Sequence, residues 1–160
     1  WTNEQFDPRL SWEAVAWVKQ QRGGKLILKG LMDVEDARLA VHSGADAIVV
    51  SNHGGRQLDG APSSISALPA IVDAVGTQTE VWMDGGIRSG QDVLKAWALG
   101  ARGTMIGRAM AYGLGAAGEA GVTRALQILH KELDVTMAFC GHTNIQTVDR
   151  NILLPGTLPG

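Results

Sequence analysis

AIVVSNHGGRQ (residues 47–57) joins a short apolar run to a glycine-rich polar loop, and this junction indicates an α/β fold. Residues 46–50 have the pattern of a strand that is buried on both faces. His53 and Arg56 follow that strand, with two glycines between them. Folds built on parallel strands place their chemistry at the carboxyl ends of the strands. The junction therefore predicts a proton acceptor beside an anion-binding arginine at a strand end.

The succession of strand, loop and helix occurs four times along the chain. Such alternation predicts parallel strands joined by right-handed crossovers, which is the α/β class. The predicted strands are residues 25–29, 46–50, 80–83 and 103–106. The predicted helices are residues 12–21, 34–42, 64–75, 90–99 and 117–133, with short helices at 136–139 and 144–148 and an extended tail over 153–160.

The number of strands limits the architectures that fit this pattern. An open doubly wound sheet and a closed barrel both satisfy the alternation, although the turn at residues 30–33 lacks the G-x-G-x-x-G fingerprint of dinucleotide binding. A (β/α)₈ barrel needs eight strands and about 250 residues. The chain has 160 residues. We therefore expect either four units of an open sheet or about half of a barrel.

Composition excludes several classes of protein. The formal net charge of −2 argues against a general nucleic-acid binder, and 45% hydrophobic residues suffice for one globular core. The single Cys140 excludes an internal disulfide and any cysteine-based metal cluster, and it fits a reducing, cytoplasmic compartment. We expect no metal site. The chain begins at Trp1 with neither a signal nor a transit pattern, so we expect a part of a longer protein.

Charged residues and glycines follow each predicted strand, and the carboxyl ends of parallel strands open on one face. Glycines leave backbone N–H groups accessible to a ligand, and the guanidinium groups of Arg88 and Arg108 follow these glycines in the sequence. Together these donors predict a phosphate-binding site. Barrels often bind phosphate after their last two strands. The strand-end residues are Lys29 at the end of the first strand; Ser51, His53 and Arg56 after the second; Asp84, Gly85, Gly86, Ile87 and Arg88 after the third; and Gly107 and Arg108 after the fourth.

Each of these residues also has an ordinary structural explanation. A histidine after a strand is commonly a hydrogen-bonded loop residue, paired glycines are commonly a turn, and Lys29 could extend its stem along apolar surface. The combination is more specific than any member. Several cations at one edge of a sheet repel one another, so their joint occurrence predicts an anionic ligand.

Four segments carry a resemblance to a known family. LILKG (26–30), SNHGGRQLDG (51–60), DGGIRSGQD (84–92) and Gly107-Arg108 resemble the FMN-dependent α-hydroxy acid oxidases and dehydrogenases, which include glycolate oxidase, L-lactate dehydrogenase and mandelate dehydrogenase. The resemblance runs from about residue 11 to residue 148. It implies a (β/α)₈ TIM barrel of which residues 1–160 are the C-terminal half, strands five to eight, with the N-terminal half outside this chain. It also implies FMN as cofactor and a small L-2-hydroxy acid as substrate.

The resemblance further implies a role for each strand-end residue. His53 looks like the base that takes a proton from the substrate, by a hydride or a carbanion route, and Arg56 like the bidentate partner of the substrate carboxylate. Lys29 resembles the lysine near flavin N1 and O2, and Ser51 looks like a contact of the flavin edge. The residues facing the ribityl chain and the phosphate are then Asp84, Gly85, Gly86, Ile87, Arg88, Gly107 and Arg108.

The family's substrate-side tyrosines, and the aspartate that orients the histidine, would come from the other half. A base without an orienting carboxylate loses much of its effect, so this chain alone should not be a competent enzyme. The resemblance also implies a homo-oligomer, a tetramer, and peripheral inner-membrane association stays open. One alternative is a non-catalytic half-barrel that binds a phosphorylated ligand or flavin as an assembly module. A flavin-dependent isomerase is disfavoured by the spacing of His53 and Arg56.

Overall fold

The computed structural model describes residues 9–156, so the expected tail is seen only as far as residue 156. Within that range, strands and helices alternate as the sequence predicts. The strands are β1 (Ile27–Leu31), β2 (Ala47–Val50), β3 (Glu80–Met83) and β4 (Gly103–Thr104). The α-helices are α1 (Trp12–Arg22), α2 (Val34–His42), α3 (Ser64–Val75), α4 (Gly90–Ala98) and α5 (Arg108–Phe139). Short 3₁₀ helices lie at His53–Gly55, Ile145–Thr147 and Arg150–Ile152.

The four strands form one sheet in the order β1-β2-β3-β4, and every pair is parallel. The α/β class with a parallel sheet is thereby confirmed. A doubly wound sheet reverses its strand order at a switch point, and these four strands show no reversal. Each strand pairs with the next one along the chain, which is also the order within a barrel.

Side-chain caps begin the helices where the sequence predicts them. The hydroxyl of Ser11 accepts from the backbone N–H of Ala14 at 3.3 Å, and the Asp33 carboxylate accepts from Glu35 and Asp36 at the start of α2. Ser89 and Asp92 form a reciprocal capping box at α4. Each cap satisfies backbone donors that have no partner within the helix, typically worth about 1 kcal/mol.

The core lies where α2 and α3 pack on the sheet. All four residues of β2 are buried, as predicted. The apolar run of residues 25–29 likewise predicts a strand that is buried on both faces. This prediction is wrong, because β1 is an edge strand of this sheet and its Ile27 is 45% exposed. The largest fully buried apolar side chains are Ile48, Leu68, Ile71, Met83, Leu94, Val49, Val50, Val75 and Val81.

Several element boundaries differ from the prediction. β1 begins two residues later and continues to Leu31, because the pairing with β2 shifts register between Lys29 and Leu31, as at a β-bulge. β4 is limited to Gly103–Thr104, and α5 begins at Arg108, where a loop was expected. The expected helices at 117–133 and 136–139 belong to this one helix, which is interrupted by non-helical backbone at Ala117 and Gly118.

α5 has 32 residues, which is long enough to span a bilayer. Its sequence is not apolar enough for that, however. Among the helices within residues 9–156, none is both long enough and apolar enough to cross a membrane.

Candidate active site

A cavity of about 600 Å³ opens at the carboxyl ends of the four strands. It receives residues from β1 and from the segments that follow β2, β3 and β4. Such convergence follows from the parallel sheet, since all the strands end at the same edge. The lining residues are Lys29, His53, Gly54, Arg56, Gln57, Asp84, Gly85, Gly86, Ile87, Arg88, Met105, Ile106, Gly107, Arg108, Met110 and Ala111.

The ammonium group of Lys29 connects three strands at the floor of the cavity. Lys29 Nζ donates to the hydroxyl of Ser51 at 3.0 Å and pairs with Asp84 Oδ2 at 2.9 Å. Ser51 is only 1% exposed and does not line the cavity. Its hydroxyl also accepts from the backbone N–H of His53 at 3.1 Å. Ser51 therefore links the lysine to the loop that carries the histidine.

The second carboxylate oxygen of Asp84 has no hydrogen-bond partner among the described residues, although it is buried. An unsatisfied buried acceptor costs about 1–3 kcal/mol. Because Asp84 lines the cavity, a hydroxyl donor on a bound ligand would relieve that cost. The hydroxyl-bearing ribityl chain of FMN has the chemistry that this oxygen requires.

His53 adopts an uncommon backbone conformation for a residue with a side chain. Its φ is +56°, in the left-handed region, and both following glycines have φ of +70°. Asn52 stabilises this turn, since its side-chain oxygen accepts from the backbone N–H of Gly54 at 3.0 Å. His53 and Arg56 are exposed toward the cavity. Such local strain is typical of functional sites, where surrounding contacts maintain it.

Glycines after β3 and β4 form another part of the cavity lining. Gly85 and Gly86 have φ of +86° and +80°, and a Cβ at Gly86 would meet no atom within 4 Å. Gly107 precedes α5 and leaves the N-terminus of the helix without a side-chain cap. The first N–H groups of α5 are therefore available to a ligand, which is the usual geometry for binding a phosphate.

Asp92 fixes the loop that carries Arg88. One of its oxygens, Oδ2, accepts from the backbone N–H groups of Arg88 and Ser89, each at 3.0 Å. The capping box of α4 thus holds the backbone of Arg88 in place at the edge of the cavity. The start of α4 therefore positions the backbone of this loop.

Positive charge dominates the lining. Four cationic side chains, Lys29, Arg56, Arg88 and Arg108, face one carboxylate, Asp84. Of these four cations, only Lys29 has an ionic partner within residues 9–156. The three guanidinium groups form no ion pair with any part of the chain that the structure describes. Guanidinium groups bind phosphates and carboxylates in bidentate fashion. The donor set and the glycine-lined wall fit a ligand with a phosphate and hydroxyl groups, such as FMN.

The cavity brings together every predicted strand-end residue except Ser51, which lies beneath it. Six lining residues were not predicted as site residues: Gly54, Gln57, Met105, Ile106, Met110 and Ala111. Met105 and Ile106 were missed because the fourth strand was expected to continue to residue 106. The apolar run that follows Thr104 was the available signal. Of the other histidines, His42 and His130 are exposed on helices. His142 lies 3.1 Å from the Thr147 hydroxyl.

A parallel α/β sheet with cations gathered at its carboxyl edge defines a class of proteins that bind phosphorylated or carboxylated ligands. Comparison with known proteins makes this class specific. The sequence profile of the family described as FMN-dependent dehydrogenase matches residues 1–155. The chain therefore belongs to the FMN-dependent dehydrogenase family, and the expectation of this family with FMN as its cofactor is confirmed.

Two bacterial relatives show how far the likeness extends. An L-lactate dehydrogenase from Caulobacter vibrioides (strain NA1000 / CB15N) is 52% identical over 153 residues, covering 96% of this chain and 40% of the relative. An L-lactate dehydrogenase from Pseudomonas syringae pv. syringae (strain B728a) is 50% identical over 154 residues, with the same shares. The chain spans about two-fifths of the length of these relatives.

Solved structures share the fold. A mandelate oxidase variant with a monooxide FMN adduct superposes with a TM-score of 0.86 at 48% identity, covering 91% of this chain and 46% of that one. A monotopic membrane protein, (S)-mandelate dehydrogenase, superposes with a TM-score of 0.90 at 40% identity, covering 94% of this chain and 40% of that one.

Proposed function

We propose that this chain forms strands five to eight of a (β/α)₈ barrel that oxidises a small L-2-hydroxy acid to the 2-oxo acid with FMN. The observation that supports this most strongly is the composition of the cavity at the strand ends. It contains an exposed imidazole, a guanidinium three residues away, and a separate glycine–arginine wall suited to a phosphate. A phosphate site and a carboxylate site in one cavity fit a phosphorylated cofactor next to an acidic substrate.

The proposed cofactor contacts divide between two walls. Arg88 and Arg108, with Gly85, Gly86, Ile87 and Gly107, hold the FMN phosphate, and the free Asp84 oxygen accepts from a ribityl hydroxyl. Lys29, supported by Ser51, places a positive charge next to the flavin ring. In a site with little water such a charge stabilises a developing anion. Bound FMN supplies the acceptor for the two electrons of the oxidation.

The proposed substrate contacts come from the loop after β2. Arg56 pairs with the carboxylate in bidentate fashion, which orients the hydroxyl-bearing carbon. His53 accepts one proton from the substrate while the two electrons and the second hydrogen leave to the acceptor. The residues are compatible with either a hydride or a carbanion route. Lactate and mandelate, the acids in the names of the relatives, share the carboxylate and hydroxyl that these two residues address.

We further propose that residues 1–160 are the C-terminal part of one barrel domain whose N-terminal half completes the site. Two observations support this: the sheet has four strands where a barrel has eight, and the chain spans about two-fifths of its relatives. Within residues 9–156, no carboxylate hydrogen bonds to the His53 ring, so the orienting group would belong to the other half. Assembly as a homo-oligomer and contact with a membrane surface belong to that complete protein.

The test uses protein purified under native conditions, so that any polypeptide bound to this chain is retained and identified. The flavin absorbance is recorded under anaerobic conditions before and after addition of L-lactate, glycolate or (S)-mandelate. We expect bleaching by at least one of these acids. His53→Gln should retain the flavin and lower the bleaching rate by at least about 100-fold, because general-base catalysis typically contributes that much. The control, His42→Gln, changes an exposed helical histidine and should bleach normally.

Two outcomes would contradict the proposal. A flavin that none of the three acids bleaches would favour the non-catalytic binding module. Normal bleaching by His53→Gln would show that another group accepts the proton.

A further inference from the structure

Gly30 lies directly behind the imidazole of His53. A Cβ built on Gly30 would be 2.6 Å from His53 Cε1, 3.3 Å from Nε2 and 3.6 Å from Nδ1. Carbon atoms in contact are normally about 3.5–4.0 Å apart. The ring therefore occupies the space that any other residue at position 30 would fill. Gly30 does not line the cavity itself.

No polar contact holds the ring in its place. Within residues 9–156, neither ring nitrogen of His53 forms a hydrogen bond or an ion pair. The backbone is fixed, since the N–H of His53 donates to Ser51 and the following turn is closed by Asn52. The side-chain torsions are left to packing, and the ring lies in the space that a Cβ on Gly30 would need.

The geometry of β1 explains why a glycine is found at this position. The register between β1 and β2 shifts between Lys29, opposite Val49, and Leu31, opposite Val50. Gly30 is the extra residue, and its φ is +104°. Bulges commonly re-aim side chains next to active sites. This one directs Lys29 to Ser51 and Asp84 and presents a residue without a side chain to His53.

We infer that Gly30 is a positioning residue that sets the orientation of the His53 imidazole toward the substrate. The inference rests on the proposed function, in which His53 is the base. Gly30→Ala would push the ring away from its present place by about 1 Å to reach normal contact. A displacement of that size at a reacting group costs about 100-fold in rate.

A matched control exists within the same chain. Gly100 has φ of +106°, and a Cβ there would be 2.5 Å from Val72 Cγ1. Gly100→Ala thus imposes nearly the same backbone strain and the same degree of overlap as Gly30→Ala. Gly100 lies between α4 and β4, and the three atoms nearest to a Cβ there all belong to Val72, which does not line the cavity, so we expect Gly100→Ala to affect stability and not the site.

The test compares the two alanine variants in three measurements: the FMN affinity, the bleaching rate with the active hydroxy acid, and the ¹H NMR signal of His53 Cε1–H. This signal is assigned by its loss in His53→Gln. We expect Gly30→Ala to retain FMN, to shift this signal while those of His42, His130 and His142 remain, and to bleach about 100-fold more slowly. Gly100→Ala should keep the signal and bleach within about twofold of the unaltered protein.

The unaltered full chain provides a second test that needs no variant to fold. A nuclear Overhauser effect between the Gly30 α-protons and His53 Hε1 is expected, and its absence would overturn the inference. Equal bleaching rates and equal His53 signals for Gly30→Ala and Gly100→Ala would also overturn it. The proposed function fails on a different result, normal turnover by His53→Gln, so the two failures are distinguishable.

Discussion

At the residue scale, Lys29 is held by partners from two different strand ends. Ser51 accepts from its ammonium group at 3.0 Å, and Asp84 pairs with it at 2.9 Å. A lysine side chain is flexible, and fixing it in one geometry costs rotamer entropy. The two contacts offset that cost before any ligand binds, so the positive charge is already in place.

Arg56 gives the first prediction at this scale. Arg56→Lys keeps the positive charge but loses the planar pair of donors, and the two residues are not interchangeable at a bidentate site. We expect KM for the hydroxy acid to rise by about 10-fold or more, since a hydrogen bond to a charged group contributes about 1.5–3 kcal/mol. FMN affinity should be unchanged.

Steady-state kinetics and a flavin titration of Arg56→Lys separate these two effects. Arg38→Lys, which changes an exposed arginine on α2, is the control. If Arg56→Lys weakened FMN binding and left KM unchanged, Arg56 would belong to the cofactor site instead.

The candidate site was predictable at the residue scale because its members follow strand ends. His53, Arg56, Arg88 and Arg108 could be placed on one edge without coordinates, since parallel strands end together. The role of Gly30 could not be predicted in this way. Its contact with His53 depends on a register shift in β1, and a register shift leaves no periodic signal in five residues.

At the element scale, Asp46 ties the amino ends of the first two strands to α1. Its carboxylate accepts from Lys19 Nζ at 2.5 Å, from Lys25 Nζ at 2.9 Å and from the backbone N–H of Leu26 at 2.8 Å. These contacts, Lys19 first, hold the pKa of the Asp46 carboxyl well below its usual range. The network lies at the opposite end of the strands from the cavity, where residues contribute to stability.

The lowered pKa predicts how stability depends on pH. A carboxyl whose pKa is lower in the folded state stabilises the fold above its unfolded pKa of about 3.9, and that contribution is lost progressively as the pH falls from this value through the folded pKa. We expect Asp46→Asn to reduce the melting temperature at pH 7 and to reduce it less at pH 3. Thermal unfolding at the two pH values measures the difference.

Glu119→Gln, which removes an exposed carboxylate from α5, is the control for this comparison and should show no such pH-dependent loss. An Asp46→Asn protein that is destabilised equally at pH 7 and pH 3 would mean that the contacts act through packing and not through charge.

Element types were predictable from the sequence, whereas several boundaries were not. Caps at Ser11, Asp33 and Ser89 begin helices as expected, because Ser and Asp side chains satisfy free backbone donors. In place of α5, two shorter helices were expected, at 117–133 and 136–139, with a loop beginning at Gly107-Arg108. The helix instead continues past a local interruption at Ala117 and Gly118, supported by packing against α4.

At the scale of the whole molecule, the sheet gathers four strand ends around one cavity and leaves β1 and β4 as its two edges. The alternation of strands and helices predicted the parallel sheet, since only crossovers can join parallel neighbours in this way. The alternation could not separate an open sheet from part of a barrel, because the two differ in strand order and closure. The consecutive order agrees with the proposed half-barrel.

The central claim is that two of these strand ends, those after β3 and β4, bind one phosphate. The most direct measurement is a titration of the flavin-free protein with FMN and, separately, with riboflavin, which lacks the phosphate. Arg88→Ala/Arg108→Ala is compared with Arg38→Ala/Arg124→Ala, which removes two exposed arginines elsewhere on helices. We expect Arg88→Ala/Arg108→Ala to weaken FMN binding by at least about 100-fold, because each charge-assisted contact contributes about 1.5–3 kcal/mol. Its riboflavin binding should be unchanged. Unaltered FMN affinity in Arg88→Ala/Arg108→Ala would contradict the central claim.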